Sequence, residues 1–372
     1  MSENSTELSG ARFKAYIIPI IFVIVITIVL SIFNIVYYTT LVEDPDIDFT
    51  PPAMSFIDED PNAPGGIALG ALLNMAFYVA LVFIGGFIVL FVIKKGFMQI
   101  LAGFFAIIMG FSWFSLGLFY SDVSFWGFLI LFFDSFPTFV QTWINAFLDW
   151  NITIASQQII VYYLLILIIS IFLGILGTLS FGIQTFDKIW IRNIMMIFFG
   201  AMVGSLFAIH FGLLSVLFIL IGLSLYDIYA VFRGPLKGII DHGRQESEET
   251  KENLPIDSES EVTYDRVPLL PALPVYTTPL INIGLGDFAF FSMLASVSVV
   301  ISNGLHNPIP LLATLIGLFA GVIYTFKLLT KERALPGLPL PIFGGIASLS
   351  IGVLICLLLG LANVDAIVAL FL

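Results

Sequence analysis

Sulfur and imidazole are almost missing from this chain. Among 372 residues there is one cysteine, Cys356, and there are three histidines, His210, His242 and His306. A lone cysteine excludes an internal disulfide and a cysteine-rich metal site. The histidines fall in turns or in a polar loop, so the sequence offers neither a His-Glu-x-x-His zinc motif nor a Ser/His dyad at membrane depth. We therefore expect no metal and no cofactor. Charge is equally sparse: Asp, Glu, Lys and Arg make up 11% of the chain against 59% hydrophobic residues, and the mean hydropathy is +1.07. A soluble domain with a solvated surface does not have that balance. The formal net charge of -12 gives no sign of nucleic-acid binding, because the acids are confined to loops.

What is present is a series of long apolar runs, each near the ~20 residues a helix needs to cross a bilayer. They cover 16–40, 66–93, 97–120, 158–183, 193–209, 212–232, 280–302, 309–329 and 340–361. These predict an all-α polytopic membrane protein with nine transmembrane helices. The first run, about 25 residues after Arg12 and Lys14, is expected to be a retained signal anchor rather than a cleaved signal peptide. Between Arg192 and Arg233 there is room for two helices, with a corner at His210-Phe211-Gly212.

Segment 124–148 is apolar enough for a tenth span but carries Asp134, Pro137 and Asn145, with Asp149 just beyond. The basic residues decide its reading. With nine spans, all 14 Lys and Arg residues fall on one face: Arg12, Lys14, Lys94, Lys95, Lys188, Arg192, Arg233, Lys237, Arg244, Lys251, Arg266, Lys327, Lys331 and Arg333. The positive-inside rule makes that face cytoplasmic, so 124–148 is expected to be interfacial or re-entrant. Asp134 and Pro137 fit such a segment. Lys327, Lys331 and Arg333 are read as border anchors, and Asp365 is placed at the outer surface beside an external C-terminus. Asn151-Ile152-Thr153 matches an external glycosylation sequon.

Four regions follow from this: a cytoplasmic N-terminus, 1–15; a six-span N-terminal bundle, 16–232; a polar cytoplasmic loop, 233–279; and a three-span C-terminal bundle, 280–372. Within the loop, 241–268 has the composition of a disordered segment. Another polar stretch, the acidic, proline-rich 41–65, is expected outside.

Two carboxylates lie inside the apolar runs, where an acid is costly and implies function. Asp227 follows Tyr226 near the end of the sixth run, roughly 9 Å inside Arg233, and Asp287 closes Gly284-Leu285-Gly286-Asp287, about 10 Å inside Leu280. At matching depth on neighbouring helices they can share a proton, leaving one acid and one base to activate water against a peptide carbonyl. Gly284 and Gly286 would leave room beside the carboxylate or serve helix packing, and Tyr226 would orient a carboxyl or sit in the aromatic belt.

Tyr-Asp in one span, followed after a long polar loop by Gly-Leu-Gly-Asp opening the next, resembles the presenilin and signal peptide peptidase family of intramembrane aspartyl proteases. The family's third element, Pro-Ala-Leu before the last span, corresponds in position to Pro336-Gly337-Leu338-Pro339, with glycine in the alanine's place. A literal Pro271-Ala272-Leu273-Pro274 precedes Asp287 and is in the wrong order. The resemblance implies catalysis by Asp227 and Asp287, with substrate positioned by Leu285 and the Pro336–Pro339 segment, whose prolines leave backbone groups free for an extended chain. It implies substrates that are transmembrane proteins of the same bilayer. The orientation looks like that of presenilins and favours single-span substrates with external N-termini. The chain looks most like an archaeal presenilin homologue, which would need no accessory subunits; a homo-oligomer is compatible with it. Self-cleavage within 241–279 would follow the family's habit. The rival reading is a proton- or cation-coupled secondary transporter using the same carboxylates, although no repeat relates the two parts of the chain.

Overall fold

The computed structural model describes residues 2–43, 66–135, 137–138, 141–142, 158–182, 189–234, 237–238, 275–277, 282–329 and 336–371. The loops 41–65 and 241–268 therefore lie largely or wholly outside the described residues, as do the sequon, Lys188, Lys331, Arg333 and Pro271–Pro274.

Among the described residues, nine helices are long and apolar enough to cross a membrane. They are α1 (Ser2–Glu43), α2 (Gly66–Lys94), α3 (Met98–Phe132), α4 (Gln158–Gly182), α5 (Ile189–His210), α6 (Leu213–Phe232), α7 (Leu285–Gly304), α8 (Ile309–Leu329) and α9 (Pro339–Leu358). A short α10 (Val364–Phe371) follows, with Asp365 exposed in its first turn. An antiparallel hairpin of β1 (Val275–Thr277) and β2 (Asn282–Gly284) precedes α7, pairing Val275 with Gly284, Tyr276 with Ile283 and Thr277 with Asn282.

The helix ends follow local chemistry. α2 stops at Gly96, whose φ of +75° suits a residue without Cβ. There Phe97 N–H reaches back to Val92 O at 3.1 Å. The corner between α5 and α6 falls at Phe211-Gly212, as its residues suggested. At the start of α8 the Asn307 side chain accepts from Ile309 N–H at 3.0 Å and Ser302 Oγ accepts from Leu311 N–H at 2.9 Å, covering orphaned donors. Pro339 occupies the first turn of α9, where a missing N–H costs nothing.

The third helix is longer than its apolar run: residues 124–132 extend α3 unbroken to Phe132, where it ends in a 3-10 turn, Phe133–Ser135, while most of 136–148 lies outside the described residues. Contacts from two other helices support the extension. Asp122, the charge that falls inside this extended helix, accepts hydrogen bonds from Tyr37 of α1 and Tyr162 of α4, each at 2.7 Å. With both oxygens occupied, the helix can continue past it.

α7 is the hub. It packs on α5 most extensively, then on α1, α8, α9 and α6. The α5 contact rests on Gly200 and Gly204: a Cβ on the first would come within 2.6 Å of Phe288 Cβ, and one on the second would overlap Ser292 Cβ. Small residues four apart thus let two backbones meet closely. The main core gathers Ile20, Val216, Ile219, Phe288, Phe291, Leu294, Leu318 and Ile342, drawn from α1, α6, α7, α8 and α9. Rather than forming a separate layer, α7 is enclosed by its neighbours.

Candidate active site

Three elements deliver the site. Asp227 lies five residues before the end of α6, about 8 Å from it along the axis. Asp287 stands in the first turn of α7, nearer its end than the expected 10 Å, because α7 begins only at Leu285. The preceding residues are drawn into the hairpin instead, with Gly284 extended at φ -67° and ψ 144°. The third element is the Pro336–Pro339 segment leading into α9.

That segment joins the two acids. Leu338 N–H donates to Asp227 Oδ2 at 3.1 Å. One residue earlier, a Cβ built on Gly337 would lie 3.2 Å from Asp287 Oδ2 and 3.5 Å from its Oδ1. Gly337 therefore lies between the two carboxylates, against Asp287 and, with Leu338, at the backbone that holds Asp227, and the two acids are close enough to interact electrostatically. Both are half-buried. Leu338 and Pro339 are buried beneath them, whereas Pro336 and Gly337 are half-buried.

The glycines of Gly284-Leu285-Gly286-Asp287 play a different steric part from Gly337. A Cβ on Gly284 would be 3.8 Å from Asp287 Oδ2, and one on Gly286 would meet only Phe290 at 3.5 Å, both ordinary contacts. The tight glycine beside the carboxylate is Gly337. Leu285 is partly buried against the main core. Tyr226 packs its ring on Phe83 of α2, 6.0 Å between centroids, and on Tyr229 at 6.4 Å.

Three neighbours were not singled out from the sequence. Arg192 of α5 donates from Nη2 to Val275 O at 3.2 Å, fastening β1 beside the site. Tyr276 of β1 meets Phe288 of α7 edge-on at 5.6 Å, which ties the hairpin to the Asp287 helix. Tyr16 of α1 is buried, stacks near Phe326 at 5.7 Å, and stands within electrostatic reach of Asp287. An arginine and two tyrosines near helix ends look like border residues in a sequence, so only the packing picks them out. Among the described residues no cluster of His, Cys, Asp and Glu suits a metal ion.

No family model matches the chain. A curated relative, presenilin-B of Dictyostelium discoideum, is 32% identical over 136 residues, which cover 34% of this chain and 23% of that protein. The chain is presenilin-like. Its fold is accordingly an all-α, polytopic, presenilin-like one, and the protein is an integral multi-pass membrane protein. The match takes in less than a quarter of the relative's length, so activity has to be argued from the site.

Proposed function

We propose that this protein is an intramembrane aspartyl endopeptidase that hydrolyses peptide bonds in the transmembrane segments of other membrane proteins, with Asp227 and Asp287 as its catalytic pair. The observation that carries this reading is the convergence of both carboxylates on the Gly337-Leu338 backbone. Two acids held this close cannot both ionise easily. The ionised one takes a proton from water, whose oxygen attacks the peptide carbonyl carbon, while the protonated one gives its proton to the carbonyl oxygen. The gem-diol then collapses, the C–N bond breaks and the amine leaves with a proton. No covalent intermediate forms.

A peptide bond inside a helix is shielded, so the substrate must be extended where it is cut. The hairpin offers a place for this. β1 and β2 pair only with each other among the described residues, and Arg192 already holds β1 at Val275 O, so β2 is the strand whose outer edge could accept a substrate strand. β2 runs directly into the Asp287 turn. The positive charges at this end of the bundle, Lys94, Lys95, Arg192, Arg233 and Lys327, support a cytoplasmic orientation of the site.

The test is cleavage of a single-span reporter by purified protein in detergent, comparing the parent with Asp227→Ala and Asp287→Ala. Each substitution should abolish cleavage while the helical signal and Tm stay near those of the parent. An inert parent, or a variant that keeps its activity, overturns the reading and leaves proton-coupled transport by the same acids as the hypothesis to test.

A further inference from the structure

α5 presents one stripe of residues to α7 and to the hairpin. Arg192, Met196, Gly200 and Gly204 recur every fourth residue and so share a side of the helix. Gly200 and Gly204 hold Phe288 and Ser292 of α7 at close approach, Met196 is fully buried in the main core, and Arg192, in the first turn, donates to Val275 O of β1 at 3.2 Å. One helix therefore grips both the Asp287 helix and the strand beside it. The grip matters because strands of three residues are not stable by themselves. β2 is secured by running into α7 and by burying Ile283 in the core. β1 packs against α5, tied there by the Arg192 bond, and meets α7 through the Tyr276–Phe288 edge contact.

The Arg192 bond also shows which way the hairpin backbone points. In an antiparallel pair, residues opposite each other alternate between those that bond across the pair and those whose N–H and C=O point away from it. Val275 O faces Arg192, so Val275 and its partner Gly284 point outward, Tyr276 and Ile283 bond to each other, and Thr277 and Asn282 point outward again. Gly284 agrees, since its N–H approaches the Asp287 carboxylate. The outer edge of β2 thus offers the Asn282 backbone and the Gly284 carbonyl to a visiting strand, and it ends at the carboxylate.

We propose that Arg192 is a positioning residue that sets the cleavage register. By holding Val275 it fixes the hairpin against α5, and with it the height at which β2 lines up a substrate strand with Asp227 and Asp287. This rests on the endopeptidase reading above. Successive strand residues are about 3.3 Å apart, so a hairpin displaced by that distance presents the next peptide bond to the carboxylates. A strand slipped by one residue also turns the opposite set of side chains toward the site. A guanidinium suits the task, because it stays charged, bonds a carbonyl more strongly than a neutral donor does, and loses little freedom in doing so.

Mass spectrometry of the products released from a single-span reporter tests this, using the full-length protein in detergent. The parent should give one dominant cut. Arg192→Leu should spread cutting over neighbouring peptide bonds and lower kcat several-fold, with Tm near the parent's; should it lose Tm, Arg192→Gln carries the same expectation. Arg192→Lys keeps a charged donor and should restore the dominant cut. Lys95→Leu, which removes an exposed cation from the same end of the bundle, should reproduce the parent. Hydrogen exchange gives a readout independent of cleavage: the Tyr276 and Ile283 amides should exchange several-fold faster in Arg192→Leu. A variant without the arginine that cuts at the parent's positions in the parent's proportions overturns the proposal and leaves the endopeptidase reading standing. So does unchanged exchange at the hairpin, or a spread of cuts that Lys95→Leu shares, which would trace the effect to charge at the membrane border. A parent that cuts nothing overturns the endopeptidase reading, and the register falls with it.

Discussion

α7 and α2 are both apolar helices long enough to cross a membrane, yet 61% of α7's spanning window is buried against 11% of α2's. Their sequences differ in kind. α7 carries Ser292, Ala295, Ser296, Ser298 and Ser302 among its buried positions, while α2 shows Leu81, Ile84, Phe87, Ile88 and Phe91 to its surroundings. In a bilayer, large apolar side chains gain nothing by turning inward, because lipid is as apolar as they are. Small and weakly polar residues are what let helices approach and bond. The two least hydrophobic spans, α5 and α7, are therefore the most buried, and α7 carries Asp287, whereas the far more hydrophobic α2 is the least buried.

The largest expected effect sharpens this contrast. Gly204→Leu would place a side chain where a Cβ alone would overlap Ser292 and lie 2.6 Å from Met293 N. Forcing α5 from α7 should cost about 3 kcal/mol or more and carry the Asp287 turn with it, losing both Tm and cleavage. Gly85→Leu is the matched control on α2, where an added Cβ meets nothing within 4 Å; it should change stability by no more than about 0.5 kcal/mol. Equal losses at both positions would break the comparison.

Next comes the contact between the last span and α7. Gly337→Ala places a methyl 3.2 Å from Asp287 Oδ2, so the carboxyl must give by a few tenths of an ångström. A catalytic group displaced even slightly loses rate. We expect kcat in the reporter assay to fall several-fold with Tm unchanged, and Gly337→Val to abolish cleavage. A Gly337→Ala variant with full kcat would mean that Asp287 moves freely in its pocket.

Much of this was legible in the sequence. The nine helices match the nine apolar runs because spanning length is a strong signal, and the corner after His210 came from a short Phe-Gly break. Where helix bounds depart from the apolar runs, a tertiary or hairpin contact sets them. α3 passes Asp122 because tyrosines from α1 and α4 meet it, and α7 starts late because Gly284 pairs with Val275. Gly200 and Gly204 stand four apart in plain view, but the sequence alone does not say which helix they face. The pairing of Gly337 with Asp287 and of Leu338 with Asp227 is likewise a product of packing between spans.

Asp122→Asn tests the tyrosine clamp that holds α4 and α1 to α3. It keeps the shape but removes the charge that strengthens two hydrogen bonds, so a loss of about 1 kcal/mol is expected, read as a Tm fall in detergent. Cleavage should persist, since the clamp lies toward the opposite end of α1 from Tyr16. A variant as stable as the parent would assign α4's attachment to its glycine contacts instead, at Gly174 and Gly177 with Phe114 and Trp113.

The smallest effect concerns α7's polar face directly. The Ser31–Ser296 bond is short and fully buried, which in water would suggest a substantial contribution. In a membrane the unfolded helices stay in lipid and their hydroxyls fold back on their own backbones, as Ser31 already does toward Thr27 O at 2.7 Å. The reference state is thus half-satisfied, and a double-mutant cycle of Ser31→Ala and Ser296→Ala should return a coupling of only about 0.6 kcal/mol. The same cycle on Asn74 and Ser215, which join α2 to α6 at 3.1 Å, should give a similar value. If it does, the difference between α7 and α2 lies in how closely small residues let backbones approach. A much larger coupling at Ser31–Ser296 would instead make hydrogen bonding the force that holds α7 at the centre.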